Sequence, residues 1–185
     1  MEIIFETDCL SKRERIERTL NHQSVDRAAI HDQLSYNPGV IAFYTGRAIS
    51  GFNYTLDDIC VACRKTLDIC FPPYAPYGTA LVKTDDGWTY QNDNWNNWVV
   101  GRPFSDETGA RDWLIAQTAS LCGRRPDADM ARQKYRRRML ELQAKLGETV
   151  IWDYPIGTGL CSVYSDRGMG LELFSYFYAA WPEVL

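Results

Sequence analysis

Apolar residues recur at helical spacing in six segments of the chain, and a polar capping residue or a proline begins several of them. Ser11 followed by Glu14 is a capping-box pattern, and Ile16 and Leu20 then form one apolar face. Pro38 likewise suits the first position of the next helix. The predicted helices are 11–21, 37–46, 55–66, 106–123, 127–146 and 171–180.

Short apolar runs lie between these helices. Residues 28–34 start with small and branched side chains and turn polar, residues 67–71 end at two prolines, and a third run begins at Thr149. Apolar runs that are separated by helices predict the buried strands of a parallel sheet. The expected fold class is therefore α/β.

Residues 79–100 follow a different pattern. Asp85-Asp86-Gly87 lies between the β-type runs 79–84 and 88–91, which is a strong hairpin signal, and residues 98–100 add a further strand. We expect this hairpin to be an insertion between a strand and a helix. The whole chain, residues 1–185, is then one domain.

Composition narrows the functional classes. The chain is 45% hydrophobic and 24% charged, as is ordinary for a globular protein, and its net charge of -4 argues against nucleic acid as a partner. The basic run Arg136–Arg138 lies in a predicted helix, where we interpret it as a solvated face.

No apolar run approaches the roughly 18 residues of a membrane helix, and the N-terminal residues do not resemble a secretory signal. We therefore expect a cytoplasmic protein whose six cysteines are reduced thiols, with no membrane partner.

Polar residues at the end of the first predicted strand are the first candidates for chemistry. His31, Asp32 and Gln33 follow its apolar start. In parallel α/β proteins the carboxyl ends of strands face the active site. A histidine can exchange a proton near neutral pH, and a neighbouring carboxylate can orient it, so His31 and Asp32 are predicted catalytic residues and Gln33 a substrate contact. The alternative is that His31 and Asp32 are a half-buried pair whose hydrogen bonds are satisfied within the fold and that has no catalytic role.

The third predicted strand ends in a glycine-rich loop with a similar set of polar groups. Asp153, Tyr154 and Thr158 lie at this break, and the same strand-end argument predicts that they contact substrate. Asp153 has an alternative role as the cap of the following turn. The segment Gly157-Thr158-Gly159 lacks the third glycine and the lysine of phosphate-binding loops.

Three cysteines lie close together in sequence. Cys60-x-x-Cys63 with Cys70 invites a zinc interpretation. However, positions i and i+3 are neighbours on one helix face, and no second CxxC or suitably spaced histidine follows. We therefore favour buried structural thiols over a metal site.

An ordered series of motifs runs along the whole chain. The motifs are the helix Arg13–His22, Asp26-Arg27, Asp86-Gly87-Trp88, Arg102-Pro103-Phe104, the segment Gly168–Phe174 and Trp181-Pro182-Glu183. This series resembles the uroporphyrinogen decarboxylase superfamily, which also contains the cobalamin-dependent methyltransferases. The resemblance implies a (β/α)8 barrel, or TIM barrel, of which this chain would supply the N-terminal portion with about the first three barrel strands, their helices and the hairpin insertion.

The loop after the first strand distinguishes the branches of this superfamily. Its decarboxylases carry an Arg-Gln-Ala-Gly-Arg-Tyr signature there, whose arginines bind substrate carboxylates. Residues 31–36 contain no arginine, and Asp32 would repel a polycarboxylate. The resemblance thus favours a methyltransferase-like function, in which a methyl group passes between a corrinoid and a thiol. The alternatives are decarboxylation of uroporphyrinogen or a related cyclic carboxylic acid, and a non-catalytic remnant or partner-binding half-barrel. Tyr164, at the spacing of a tyrosine in the family's third-strand loop, is carried over as a catalytic candidate.

The resemblance also sets expectations for cofactors and partners. A corrinoid and zinc belong to the complete methyltransferases, whose zinc ligands lie in the half that is not represented in this chain. We therefore expect no cofactor to be bound by this chain alone. The expected partners are a small-molecule substrate or a corrinoid protein. A sheet with open edges would in addition self-associate or pair with a complementing chain.

Overall fold

The computed structural model describes residues 8–32, 37–123, 127–152 and 169–184. The chain divides into two compact units. The described residues of the first unit are 8–32, 37–76 and 127–152, and those of the second are 77–123 and 169–184. In chain order the elements are α1 Lys12–Leu20, β1 His31–Asp32, α2 Pro38–Thr45, α3 Leu56–Thr66, β2 Ile69–Cys70, β3 Thr79–Lys83, β4 Thr89–Asp93, β5 Asn96–Gly101, α4 Glu107–Gly123, α5 Ala128–Leu146, β6 Val150–Ile151, α6 Gly170–Ala180 and a 3-10 helix Pro182–Val184.

The first unit contains a three-stranded parallel sheet. Its strand order, β1-β2-β6, is the order along the chain, and the register pairs His31 with Ile69 and Cys70 with Ile151. Helix α3 packs against both α2 and α5. The predicted α/β class is confirmed as a mixed α/β fold with two small sheets, and the described residues form no closed barrel.

The helix starts follow the capping residues predicted from sequence. Ser11 and Glu14 form the capping box of α1, and Thr55 and Asp58 form another on α3. The side chain of Asn37 accepts the first N–H groups of α2, just before the proline. These caps satisfy donors that have no partner within the helix, which fixes where each helix begins.

The core of the first unit lies along one face of α3. Ile59, Cys60, Ala62 and Cys63 are all buried, as their i, i+3 and i+4 spacing predicts. The remaining buried apolar side chains of the described part of this unit come from α1, α2, the residue before Thr55, the β2 region and the end of α5, namely Ile16, Ile41, Tyr44, Tyr54, Leu67, Ile69, Cys70, Leu142 and Leu146.

Ion pairs join α1 to the amino ends of β1 and β2. The Arg15 guanidinium bonds to Asp26 through Nε at 2.7 Å and to Asp68 through Nη1 at 2.6 Å. Arg27 also bonds to Asp68, at 2.5 Å. The Asp68 carboxylate accepts in addition the backbone N–H of Ile30 at 2.8 Å. We call these four charged residues (Arg15, Asp26, Arg27 and Asp68) the amino-end network.

The amino-end network explains why β1 is shorter than predicted. Sequence analysis expected a strand over 28–34, whereas only 31–32 pair as a strand, and 33–36 lie outside the described residues. The Ile30 N–H, which a ladder would use, bonds to the Asp68 carboxylate instead. The Ile30 carbonyl accepts from the backbone N–H groups of Asp68 and Ile69, and the bond from Ile69 is the first of the β1–β2 ladder, which therefore begins here.

Lys12 and Thr149 form further hydrogen bonds at the amino end of the sheet. Lys12 Nζ donates to the Leu67 carbonyl at 2.8 Å and to Thr149 Oγ1 at 3.1 Å. Thr149 Oγ1 in turn donates to the Leu67 carbonyl at 3.0 Å. Leu67 lies just before β2 and Thr149 just before β6. The hydrogen bonds of Lys12 therefore connect α1 to the amino ends of both strands.

The second unit contains the predicted hairpin. Strands β3, β4 and β5 form an antiparallel sheet in which Lys83 pairs with Thr89, and Gly87 takes a positive φ in the turn. The third strand expected at 98–100 is confirmed as β5. Trp88 is buried and packs edge-to-face against Phe104 and Trp113. These contacts hold the turn between β3 and β4 against a core to which α4 and α6 both contribute.

Candidate strand-end site

Three aromatic rings meet at the carboxyl ends of the parallel strands. His31 lies in β1, Phe71 directly follows β2, and Trp152 directly follows β6. The His31 ring centroid lies 5.2 Å from that of Phe71, edge-to-face, and 6.4 Å from that of Trp152, at an interplanar angle of 50°. We call these three residues the strand-end cluster.

The strand-end cluster is rigidly supported but accessible. The Trp152 N–H donates to the Cys70 carbonyl at 2.8 Å, which continues the ladder beyond β6. The Trp152 side chain is nevertheless 49% exposed, His31 is exposed and Phe71 is half-buried. A ligand can therefore reach ring surfaces whose positions the sheet has already fixed.

Asp32 belongs to the opposite face of the sheet. Successive strand residues alternate between faces, and Asp32 is in register with Cys70, which is buried beside Cys63 of α3. The His31 ring instead contacts Phe71 and Trp152. The structure thus brings both predicted catalytic residues to the carboxyl end but directs their side chains apart.

A cavity lies beside β1, between this strand and helices α2 and α3. Its volume is about 360 Å³. Half of the described residues that line it are apolar, and Asp32 is the acidic residue among them. The lining residues are Ile30, His31, Asp32, Asn37, Val40, Ala62, Thr66 and Leu67.

The other predicted site residues cannot be placed against this geometry. Gln33, Asp153, Tyr154, Thr158 and Tyr164 lie outside the described residues. His31 and Asp32 are thus the two predicted site residues whose positions are known.

Sequence reasoning missed the functional potential of Phe71 and Trp152. Both positions were treated as the ends of apolar strands, although each directly follows a strand of the same parallel sheet. The signal available in the sequence was that both residues stand at strand ends, which in a parallel sheet lie beside the polar end of the first strand. Of the described residues 31, 32, 71 and 152, none is an arginine or a lysine, and Asp32 supplies a carboxylate.

The three core cysteines are buried thiols. Burial, together with the neighbouring Cys63, raises the pKa of Cys60 to about 11. A hydrogen bond with Cys63, together with burial, also raises the pKa of Cys70. The predicted burial of Cys60, Cys63 and Cys70 is confirmed. Within the ranges that the structure describes, no three His, Cys, Asp or Glu side chains converge so that they could hold a metal ion.

Comparison with family models, curated proteins and solved structures gives no match for this chain. The superfamily expected from the sequence motifs is therefore a proposal, and the fold is described from this structure alone. None of the helices in the described part of the chain has the length and apolar character that a bilayer crossing requires.

Proposed function

We propose that the chain supplies the first three β/α segments of a (β/α)8 barrel of the uroporphyrinogen decarboxylase superfamily. The observation that carries this proposal is the sheet β1-β2-β6, whose strands are parallel, follow the chain order and bear the rings of His31, Phe71 and Trp152 at their carboxyl ends. That arrangement is the one by which barrel enzymes build their sites. In this proposal the strand-end cluster forms one wall of a small-molecule site.

A methyltransferase-like reaction suits this wall better than decarboxylation of a porphyrinogen. The rings of His31, Phe71 and Trp152 offer flat apolar surface, which a corrin or another weakly charged macrocycle can contact. A substrate with several carboxylates needs cations in its site, whereas none of the three rings of the strand-end cluster carries a fixed positive charge. The proposed reaction is therefore methyl transfer between a corrinoid and a thiol.

The zinc of such methyltransferases does not fit the described residues. No group of three suitable side chains converges there, and Cys60, Cys63 and Cys70 are buried. We therefore assign no step to zinc in this chain. The role proposed for its residues is to bind and orient the flat substrate.

A partner-binding half-barrel is the second candidate function. Among the described residues, β1 and β6 each pair with one neighbour, β2, so each has a second edge open to further pairing. Unpaired strand edges are templates for another chain. In this case a complementing chain or a second copy would complete the sheet, and the strand-end cluster would lie near that contact.

Ligand binding tests the proposed function. Equilibrium dialysis of the intact protein against methylcobalamin should give saturable binding, which Trp152→Leu weakens by about tenfold because one stacking surface is lost. Trp98→Leu is the matched control, since Trp98 is 47% exposed but lies on the hairpin sheet. Its affinity should equal that of the wild type.

Other outcomes of the dialysis discriminate among the alternatives. Tighter binding of uroporphyrin than of methylcobalamin would favour the decarboxylase. Absence of binding by both compounds, together with concentration-dependent association in sedimentation velocity, would favour the half-barrel. Equal effects of the Trp152 and Trp98 substitutions would contradict the assignment of the site to the strand ends.

A further inference from the structure

Strand β3 forms an exposed edge of the antiparallel sheet. All five of its residues, Thr79–Lys83, are exposed, and among the described residues its one neighbouring strand is β4. Leu81 is 67% exposed, and Val82, which points to the other face of the sheet, is exposed as well. The register of β3 against β4 is continuous, whereas that of β5 shifts along the strand. β3 is therefore a regular and partly apolar edge, the kind of strand with which another strand can pair.

The backbone of β3 carries hydrogen-bonding groups that β4 does not use. At the two ends of the strand, the Thr84 N–H donates to the Trp88 carbonyl at 2.8 Å, and the Gly78 carbonyl accepts a bond of 3.0 Å from the facing chain. Because the bonds of an antiparallel ladder alternate along a strand, Ala80 and Val82 between them also face β4. The N–H and C=O groups of residues 79, 81 and 83 therefore point away from β4.

The sequence of β3 is complementary to itself in the antiparallel direction. When two copies align about a two-fold axis at Leu81, this residue faces Leu81 of the second copy, and Thr79 faces Lys83 of the second copy. The outward backbone groups of the two strands then meet in register and form about six hydrogen bonds, two for each facing pair. Such a contact uses the same residues on both sides, which is the commonest symmetry of homodimers.

Charge favours this register. Lys83 of one copy lies opposite Thr79 of the other, and Thr79 pairs on its far side with Asp93 of β4. Directly opposed residues point to the same face of a sheet, so Lys83 and Asp93 of the two copies lie on one face, about 10 Å apart between Cα atoms. An edge lysine usually opposes strand pairing because it meets a like charge or loses its water. Here it meets the carboxylate of the other copy instead, and the two-fold axis creates this pair twice.

We propose that two copies of this chain associate through β3 and join their hairpin sheets into one continuous antiparallel sheet. Pairing gives each exposed Leu81 an apolar neighbour and gives the outward backbone groups their hydrogen-bond partners. A contact along a single strand is small, so the dimer is weak and depends on concentration. The edge lies in the second unit and is separate from the open edges of β1 and β6. The inference is independent of the proposed methyl transfer.

Sedimentation velocity of the intact protein tests this association. Between about 5 and about 500 µM the wild type should pass from monomer to dimer, as expected of a small interface. Leu81→Lys places two lysines opposite each other at the two-fold axis and should weaken association by at least about tenfold. Val100→Lys is the matched control, because Val100 is also exposed but lies on β5, at the other edge of the same sheet. It should associate as the wild type does.

Charge reversal tests the register. Lys83→Glu and Asp93→Lys should each weaken association severalfold, because each places like charges across the interface. The double variant carries both changes, which restores the two pairs with opposite sign, and it should recover most of the wild-type affinity. Loss of the hairpin fold in a single variant would not be reversed in this way. Circular dichroism and thermal melts check that each variant is folded.

Amide hydrogen exchange followed by NMR locates the contact in the wild-type protein. The Leu81 N–H, which points outward, should exchange more slowly at about 500 than at about 20 µM. The Val82 N–H faces β4 in monomer and dimer alike, so its exchange should not depend on concentration.

Four results would overturn the proposal. The wild type remains a monomer up to the highest concentration. Leu81→Lys associates as strongly as the wild type, which would assign the contact to another edge such as that of β1 or β6. Val100→Lys loses as much affinity as Leu81→Lys. The double charge variant associates no better than the single variants.

Discussion

Arg15 and Asp68 form a buried ion pair with a separation of 2.6 Å, and each side chain is only 1% exposed. Arg15 belongs to α1, whereas Asp68 immediately precedes β2. The Asp68 carboxylate also receives the Ile30 N–H at the entry to β1. One pair of side chains therefore connects a helix to the starts of two parallel strands.

Removing the arginine of this pair should strongly destabilise the protein. Arg15→Ala leaves the buried Asp26 carboxylate without its arginine and Asp68 with Arg27 alone, and loss of one partner of a buried ion pair typically costs about 3–5 kcal/mol. Arg13→Ala is the control on the same helix, because Arg13 is largely exposed beside Glu17, and it should change stability by less than about 0.5 kcal/mol. Urea unfolding of the three proteins measures both differences. A similar, small loss in both variants would show that the amino-end network is not a stabilising unit.

Acid should weaken the same network. Burial opposes ionisation of Asp68, but the hydrogen bond from Arg27, the Ile30 N–H and the two positive charges lower its pKa below the ordinary value of 3.8. The hydrogen bond from Arg15 likewise lowers the pKa of Asp26. A carboxylate whose pKa is lower in the folded state than in the unfolded state stabilises the fold above the unfolded value, and this contribution is lost as the pH falls toward the folded value.

We therefore expect the free energy of unfolding to fall as the pH drops below about 4. Asp68→Asn should be less stable at pH 7 and should show a shallower fall below pH 4. Asp112→Asn, which removes an exposed surface acid, should retain the wild-type slope. Urea titrations between pH 7 and pH 3 provide the comparison. Parallel slopes for Asp68→Asn and the wild type would exclude the network as the source of acid sensitivity.

The core thiols should resist alkylation in the folded protein. With a pKa of about 11, roughly one Cys60 thiol in a thousand is ionised at pH 8, and burial further limits access to it. Cys9 and Cys122 are exposed and should react first with iodoacetamide. Mass-spectrometric mapping should find Cys60, Cys63 and Cys70 unmodified until denaturant is added. Alkylation of Cys60 as fast as Cys122 in native conditions would contradict their structural role.

Helix boundaries were largely predictable from sequence because local chemistry fixes them. Ser11, Asn37, Thr55 and Asp127 each cap the helix that follows, as their side-chain chemistry predicts. The hairpin was predictable for a similar reason, since Gly87 supplies the positive φ of the turn. These features depend on a few adjacent residues and not on distant contacts.

The parallel strands were less predictable because distant residues decide their length. Thr149 bonds to the Leu67 carbonyl across 82 residues of chain, and Asp68 takes the Ile30 amide that would otherwise extend β1. An apolar run in the sequence indicates that a strand is buried but not where its ladder ends. The expected strand over 28–34 was too long for this reason.

The sequence predicted at which edge of the sheet the candidate site lies but not which side chains come together there. The strand-end argument located His31 and Asp32 correctly at the carboxyl edge of the sheet. It did not anticipate that alternation would direct them to opposite faces, or that Phe71 and Trp152 would contact the His31 ring. Pairs of adjacent polar residues attract attention in a sequence, whereas aromatic neighbours that are brought together by strand register do not.

The amino-end network has a consequence for how this sheet can change during evolution. Buried ion pairs hold the strands at one end, and exposed rings occupy the other. Substitutions at exposed positions such as His31 usually cost little stability, whereas those at Arg15 or Asp68 cost much. Side chains at the carboxyl ends of the strands can therefore change during evolution while the ion pairs at the amino ends maintain the fold. Descendants of this protein can thus acquire different ligands.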